Sequence, residues 1–283
     1  MIKIAIQKNG RLSDLSLALL KNCGINTPNG DRKLKSKADN FPLEILYLRD
    51  DDIPEYVEKG VADIGIIGEN EVWEKAKDIE VVKQLGFAKC KMALAVSKEE
   101  EYENLQWFDN KTIATSYPRI LNKFLVENGI SSNIEVISGS VEIAPGIGLA
   151  QGIFDIVSTG STLIMNGLKE VQTVCKSEAV LVANKNLSEE NKTLLKKLLF
   201  RIEAVQKANK SKYILLNAPK DKVEAISKLL PSMKSPTILP LLQEGWCSLH
   251  SVINEEDFWE VIEQLKNLGA EGILVIPIEK MIT

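Results

Sequence analysis

A single histidine, His250, is present among 283 residues. With no imidazole near the hydroxyl-rich turns upstream, a Ser-His-Asp or Cys-His nucleophilic design is hard to build there. Cysteine is equally sparse. Cys23, Cys90, Cys175 and Cys247 stand far apart, form no C-x-x-C pair and have only His250 as an imidazole partner, so they read as reduced core residues. No apolar run approaches the ~20 residues that a bilayer span needs. Met1 leads straight into the alternating strand Ile2-Lys3-Ile4-Ala5-Ile6, without a basic segment, a long apolar run and a small-residue cleavage site. The expected location is the cytoplasm. Positive charge is also in deficit: a net charge of -4 and a pI near 5.4 argue against a nucleic-acid-binding face, so any anion site must be local.

What is present is 45% hydrophobic residues, enough to bury two or three cores. From Met1 to about Ala88, strands and helices alternate. The strand Ile2 to Gln7 precedes a helix from Leu12 to Cys23, with Gly24 at its C′ position. The strand Ile45 to Leu48 precedes a helix with Pro54 in its first turn and Gly60 as its stop, and Asp63 to Gly68 reads as a strand buried on both sides. This is the pattern of a parallel α/β sheet. A second unit has strands at Met92 to Val96, Lys111 to Thr115, Ile134 to Ile137 and Phe154 to Val157, with helices at Pro118 to Asn128 and Glu142 to Gln151. The segment from Ala179 to about Ala208 is expected to return to the first unit. The resulting division is 1–90 with 178–210, 91–177, and 211–283. The last segment reads β-α-β-β-α-β, the ferredoxin-like order, and Phe258, Val261, Ile262 and Leu265 form one apolar helix stripe in it.

Chemistry concentrates in Asp155-Ile-Val-Ser-Thr-Gly-Ser-Thr162. Gly160 lets backbone approach a phosphate, while Ser158, Thr159, Ser161 and Thr162 add hydroxyls where a helix starts. The alternative is an ordinary strand-to-helix turn with hydroxyl N-caps. Glu142 supplies a second carboxylate beside Asp155, and paired acids suit vicinal diols or magnesium. On the first unit, Lys8, Arg11, Arg32 and Arg49 fall in loops, Arg49 at the carboxyl end of a parallel strand, where open α/β sheets bind ligands. Cations there would neutralise a polyphosphate leaving group. Lys33 and Lys35 read as solvated surface. Asp50-Asp51-Asp52 also reads as acidic helix capping, and His250 as a structural histidine in its strand.

These residues carry a family resemblance. Gln7-Lys-Asn-Gly-Arg-Leu12, Arg49-Asp-Asp-Asp-Ile-Pro54, Asp63-Ile-Gly-Ile-Ile-Gly-Glu-Asn70, Ile113-Ala-Thr-Ser-Tyr-Pro118, the stretch from Glu142 to Leu163 and Ser235-Pro-Thr-Ile-Leu-Pro240 resemble the long form of ATP phosphoribosyltransferase over essentially the whole chain. The resemblance implies a two-lobed core of the type II periplasmic-binding-protein kind and a C-terminal ACT-like domain. It implies transfer of phosphoribosyl from phosphoribosyl pyrophosphate to N1 of ATP with magnesium, in the first step of histidine biosynthesis. It further implies dimers and hexamers, and histidine inhibition through positions matching Asn217, Met233, Thr237 and Gly272. Arg32, Arg49 and Lys8 would be catalytic, while Arg11, Glu142, Asp155 and the 158–162 turn would bind substrate. Gly146 and Gln151 depart from the arginine and aspartate that relatives often carry. A solute-binding protein shares the two lobes but is normally exported. Prephenate dehydratase joins similar parts but relies on a Thr-Arg-Phe motif absent here.

Overall fold

The computed structural model describes residues 1–27, 34–230 and 235–282, and these divide into two compact units, Met1–Lys21 with Ile25–Leu195, and Asn22–Gly24 with Lys196–Thr283. In the first unit the chain runs β1 (Ile2–Gln7), α1 (Arg11–Asn22), β2 (Lys35–Lys37), β3 (Leu43–Leu48), α2 (Ile53–Glu58), β4 (Ile64–Gly68), α3 (Glu69–Lys75) and β5 (Ile79–Gln84). It continues through β6 (Cys90–Ser97), β7 (Thr112–Thr115), α4 (Pro118–Glu127), β8 (Asn133–Val136), β9 (Gly152–Val157), α5 (Ser161–Met165), β10 (Leu168–Ser177), β11 (Ala179–Asn184) and the start of α6 (Glu189–Asn209).

These strands make two sheets, and hence two lobes. The first has the order β2-β3-β1-β4-β11-β5, with β1 parallel to both β3 and β4. The second has the order β10-β6-β9-β7-β8, with β7 parallel to β8 and β9. The chain leaves the first sheet after β5 and returns at β11, which lies antiparallel between β4 and β5. The two crossing segments bond to each other, Leu85 N–H to Ala179 O at 2.9 Å and Ala179 N–H to Phe87 O at 3.0 Å. These two paired segments are the covalent connections between the two lobes.

The second lobe's core is built around Phe108, Phe154, Leu94 and Ile113, all fully buried. Gly152 in β9 is required by that packing, because a Cβ there would stand 2.7 Å from Phe108 Cε1 and 3.3 Å from the Ala95 carbonyl. Gly152→Ala is expected to destabilise by about 2 kcal/mol through overpacking, measured as a lower denaturant midpoint at unchanged m-value.

One expected element is absent. The apolar spacing of Ile143, Ile147 and Ala150 imitates a helix over 142–151, but the chain forms a short 3-10 turn at Val141–Ile143 followed by turns. Pro145 interrupts the ladder, and Gly148 adopts φ +74°, outside helical space. Two half-buried cysteines, Cys90 and Cys175, also depart from the expectation of core thiols; Cys23 and Cys247 are buried.

The second unit contains the end of α6, then β12 (Ser211–Pro219), α7 (Val223–Leu229), β13 (Thr237–Pro240), β14 (Trp246–Asn254), α8 (Phe258–Asn267) and β15 (Glu271–Pro277). Its antiparallel sheet has the order β13-β14-β12-β15, the ferredoxin-like arrangement. Ile214, Leu216, Leu249 and Ile253 face Ile226 and Leu265 of the two helices.

Candidate active site

Lys8 follows β1 and Arg49 follows β3, so the parallel pairing of these strands sets both cations at one carboxyl edge, and Lys8 N–H bonds to Leu48 O at 2.8 Å. Both residues line a cleft of about 840 Å3, whose other wall is contributed by Ser116, Tyr117, Ser138 and Asp155 from the second lobe. The carboxyl ends of open α/β sheets are where ligands bind.

This cleft is not a cationic basin. Asp50, Asp51, Glu71 and Glu74 line it on the same lobe as Lys8, Arg49 and Lys75, and Asp155 lines it from the second lobe. Burial holds the Glu71 carboxyl up at about 7; Asp50 adds to the rise, while Lys75 and a hydrogen bond from Tyr117 oppose it. Asp155 is raised to about 6, chiefly by burial and further by Glu142, against the opposing effect of the Ile156 N–H that it accepts at 2.7 Å. The Tyr117 phenol is pushed up by burial, and then by Glu71, Asp155 and Asp50. These groups therefore sense one another across the lobes. Asp50–Asp52 form a 3-10 turn, and Asp52, at the N-cap of α2, makes no side-chain cap bond, which departs from the expected capping role.

Val157, buried at the end of β9, anchors the hydroxylated turn. Gly160 takes φ +79° and starts α5, a conformation that a side chain rarely adopts. Thr159 Oγ1 and Ser161 Oγ lie 3.0 Å apart, and Arg11 Nη1 donates to Ser158 Oγ at 3.3 Å, linking α1 to the turn. Ser158, Thr159, Ser161 and Thr162 are exposed. Because α5 has only five residues, the amides and hydroxyls of 158–162 outweigh any helix dipole as anion donors. Of this segment, only Asp155 reaches the cleft lining; Glu142 sits in the 3-10 turn, close enough to act on Asp155. Arg32 and Lys33 lie outside the described residues, and Lys35 is exposed in β2. Gly146 is exposed, and Gln151 Oε1 accepts the Thr112 N–H at 2.9 Å.

Sequence reasoning assigned no role to Glu71, Glu74 and Tyr117. The dipeptide Tyr117-Pro118 after a strand, with proline at the first helical position, is the one local signal that marked this wall.

Within the second unit, Asn217 pairs with Ser248, and Thr237 with His250. Gly272, at φ +56°, lies so near Asn217 that a Cβ would be 3.3 Å from its Nδ2. Asn217 and Gly272 thus adjoin on neighbouring strands, Thr237 stands on β13 at the opposite edge of the sheet, and Met233 lies outside the described residues. His250 is held at both ring nitrogens, Nδ1 by Tyr213 Oη at 2.7 Å and Nε2 by Ser248 Oγ at 3.2 Å, which fits a structural histidine. Among the described residues, no helix is long and apolar enough to cross a membrane.

A family model described as ATP phosphoribosyltransferase matches residues 49–204, and one described as HisG, C-terminal domain, matches residues 208–280. An ATP phosphoribosyltransferase of Bacteroides thetaiotaomicron is 58% identical over 282 residues, covering 100% of both chains, and one of Cytophaga hutchinsonii is 56% identical, covering 100% of this chain and 99% of its own. Among solved structures, a chain of the ATP phosphoribosyl transferase (HisG:HisZ) complex from Thermotoga maritima aligns with a TM-score of 0.61 at 29% identity, over 72% of this chain and 99% of that one. A substrate-binding protein of an amino acid ABC transporter aligns with a TM-score of 0.50 at 12% identity, over 73% of this chain and 93% of that one, a likeness of fold alone. With a family model across more than half of its length and relatives matched end to end, the chain belongs to the ATP phosphoribosyltransferase family and is a transferase.

Proposed function

We propose that this protein transfers the phosphoribosyl group of phosphoribosyl pyrophosphate to N1 of ATP, releasing pyrophosphate, as the first step of histidine biosynthesis. The observation that carries the reading is the placement of Lys8 and Arg49 on one wall of a cleft and Asp155 on the other, with the hydroxylated turn close behind Asp155 in sequence. In this reading the 158–162 turn, with Arg11, holds the 5-phosphate, and Glu142 with Asp155 accepts from the ribose hydroxyls. Lys8 and Arg49, together with Arg32, meet the diphosphate. Adenine N1 carries a free lone pair, so attack at C1 of the ribose needs no strong base. The barrier lies in separating the diphosphate from a developing oxocarbenium. Cations aimed at the departing oxygens act where charge grows, and so lower the barrier more than they tighten ground-state binding.

Among the described residues, no group of three or more carboxylate, thiol or imidazole side chains is arranged to hold a metal ion. We therefore assign magnesium to the substrate's own phosphate oxygens, the ligands this hard cation prefers. Its charge would also offset the carboxylates facing Lys8 and Arg49. Residues 1–90 with 178–210 and residues 91–177 are taken as the catalytic lobes, and 211–283 as a regulatory domain. There Asn217, Met233, Thr237 and Gly272 would receive histidine as an inhibitor, in a dimer or hexamer.

The test mixes the full-length protein with ATP, phosphoribosyl pyrophosphate and magnesium, and follows N1-substituted adenylate by its ultraviolet spectrum and mass, with and without histidine. Product formation that histidine suppresses is the expected result. Folded protein that makes no adduct would end the transferase reading, and activity indifferent to histidine would end the regulatory one.

A further inference from the structure

Helix α4 lacks a cap from its own lobe. Tyr117 occupies the N-cap position without a side-chain cap bond, and Pro118 at the first helical position has no N–H. The next two N–H groups, of Arg119 and Ile120, are those that a capping side chain normally takes. Glu74 takes both: Oε1 accepts from Arg119 and Oε2 from Ile120, each at 3.0 Å. Glu74 belongs to α3 in the other lobe, 45 residues earlier than Arg119. One turn back on the same face of α3, Glu71 accepts the Tyr117 phenol. Two carboxylates of one helix thus grip the first turn of another across the cleft wall.

We propose that Glu74 is a positioning residue for the transfer, an interlobe clasp that caps α4 and sets the Ser116–Tyr117 wall at its working distance from Arg49. The loop before α4 is already tied to its own lobe, Ser116 Oγ to Ile137 O at 2.7 Å and Tyr117 N–H to Thr115 Oγ1 at 2.8 Å. Within its own lobe this loop is therefore bonded without Glu74. What the carboxylate adds, beside the crossing segments, the Arg11–Ser158 bond and the Glu71–Tyr117 bond, is a fixed relation between the two lobes at the start of α4. Holding the walls near their bound spacing before substrate arrives spares the ligand that ordering cost. The carboxylate charge also faces the positive end of α4, ten residues long, which strengthens both bonds.

The effect on turnover rests on the transferase reading above, whereas the clasp is read directly in the apoprotein. Amide hydrogen exchange at Arg119 and Ile120 is measured for the full-length wild type, Glu74→Ala and Glu74→Gln, alongside steady-state kinetics. In Glu74→Ala both amides are expected to exchange at least about tenfold faster. KM for phosphoribosyl pyrophosphate is expected to rise about tenfold, as for a competent arrangement reduced to about a tenth of the population, with kcat within about threefold. Glu74→Gln keeps the shape without the charge and should fall between. Exchange at loop rates in the wild type overturns the clasp, whether or not the enzyme turns over. Deprotected amides with unchanged KM overturn the positioning role, as does a loss of kcat and melting temperature at constant KM. An inactive wild type with protected amides defeats the transferase reading while leaving the clasp standing.

Discussion

Arg49→Ala should lower kcat by about a hundredfold while leaving KM for either substrate within about threefold. Arg49 sits at the carboxyl end of β3, immediately before the acidic 3-10 turn, and lines the cleft opposite Asp155. Its guanidinium presents a planar fork that matches two diphosphate oxygens at once. In the proposed reaction the ground-state diphosphate would share its charge with metal and solvent, so one arginine would add modestly to affinity. As the bond to C1 broke, negative charge would collect on the departing oxygens, and the same arginine would become worth about 3 kcal/mol. Arg49→Lys should recover part of the loss, because it restores a point charge without the fork. A variant whose whole defect is a raised KM, with kcat intact, would show that Arg49 binds substrate uniformly and does not stabilise the leaving group.

Much of the scaffold behind that prediction was legible before any coordinates. Gly24 and Gly60 mark where α1 and α2 stop, and both take positive φ, as left-handed helix ends do. The βαββαβ order of the last segment followed from clear turns and from the apolar stripe of α8. Other elements escaped for identifiable reasons. β10 is ten residues long, but its pairing slips between Glu170 and Gln172 and again between Thr173 and Cys175, so the period-two pattern that would reveal it is broken twice. α3 is seven residues and opens at Gly68 without a side-chain cap, leaving no start signal. Over 142–151 the apolar spacing imitates a helix that Pro145 and the positive φ of Gly148 forbid.

The site was legible only in part. Its cations and the hydroxylated turn announce themselves locally, because loops after strands and a glycine between hydroxyl residues have a recognisable chemistry. The carboxylates Glu71 and Glu74 do not, since on sequence they are two of three acidic positions in a short charged helix. Their meaning comes from α4, which lies more than 40 residues away and needs a cap that its own lobe does not provide. Tyr117 gains its partner by the same long-range closure. A lone sequence encodes such pairs through tertiary packing rather than through spacing.

Glu71→Gln is expected to raise stability by about 2–3 kcal/mol at pH 8 and by almost nothing at pH 4.5. Glu71 is 6% exposed, and its carboxyl stands at about 7 in place of the usual 4.5, because burial and the nearby Asp50 penalise the charge. The folded protein therefore binds this proton more tightly than the unfolded chain does. Between pH 4.5 and 7 the native state carries the extra proton, so stability falls as pH rises through that window and stays reduced above it. Glutamine removes the ionisation while still accepting from Tyr117, so the gap between variant and wild type should open across the same window. Melting curves at half-unit pH steps measure it, at roughly 2–4 °C per kcal/mol for a unit of this size. A gap that does not vary with pH would mean that Glu71 is not paying an ionisation cost. A gap that opens as predicted would mean that the Glu71 carboxylate costs the fold stability, and the cations and phosphates assigned to this cleft are the partners that would make that charge useful.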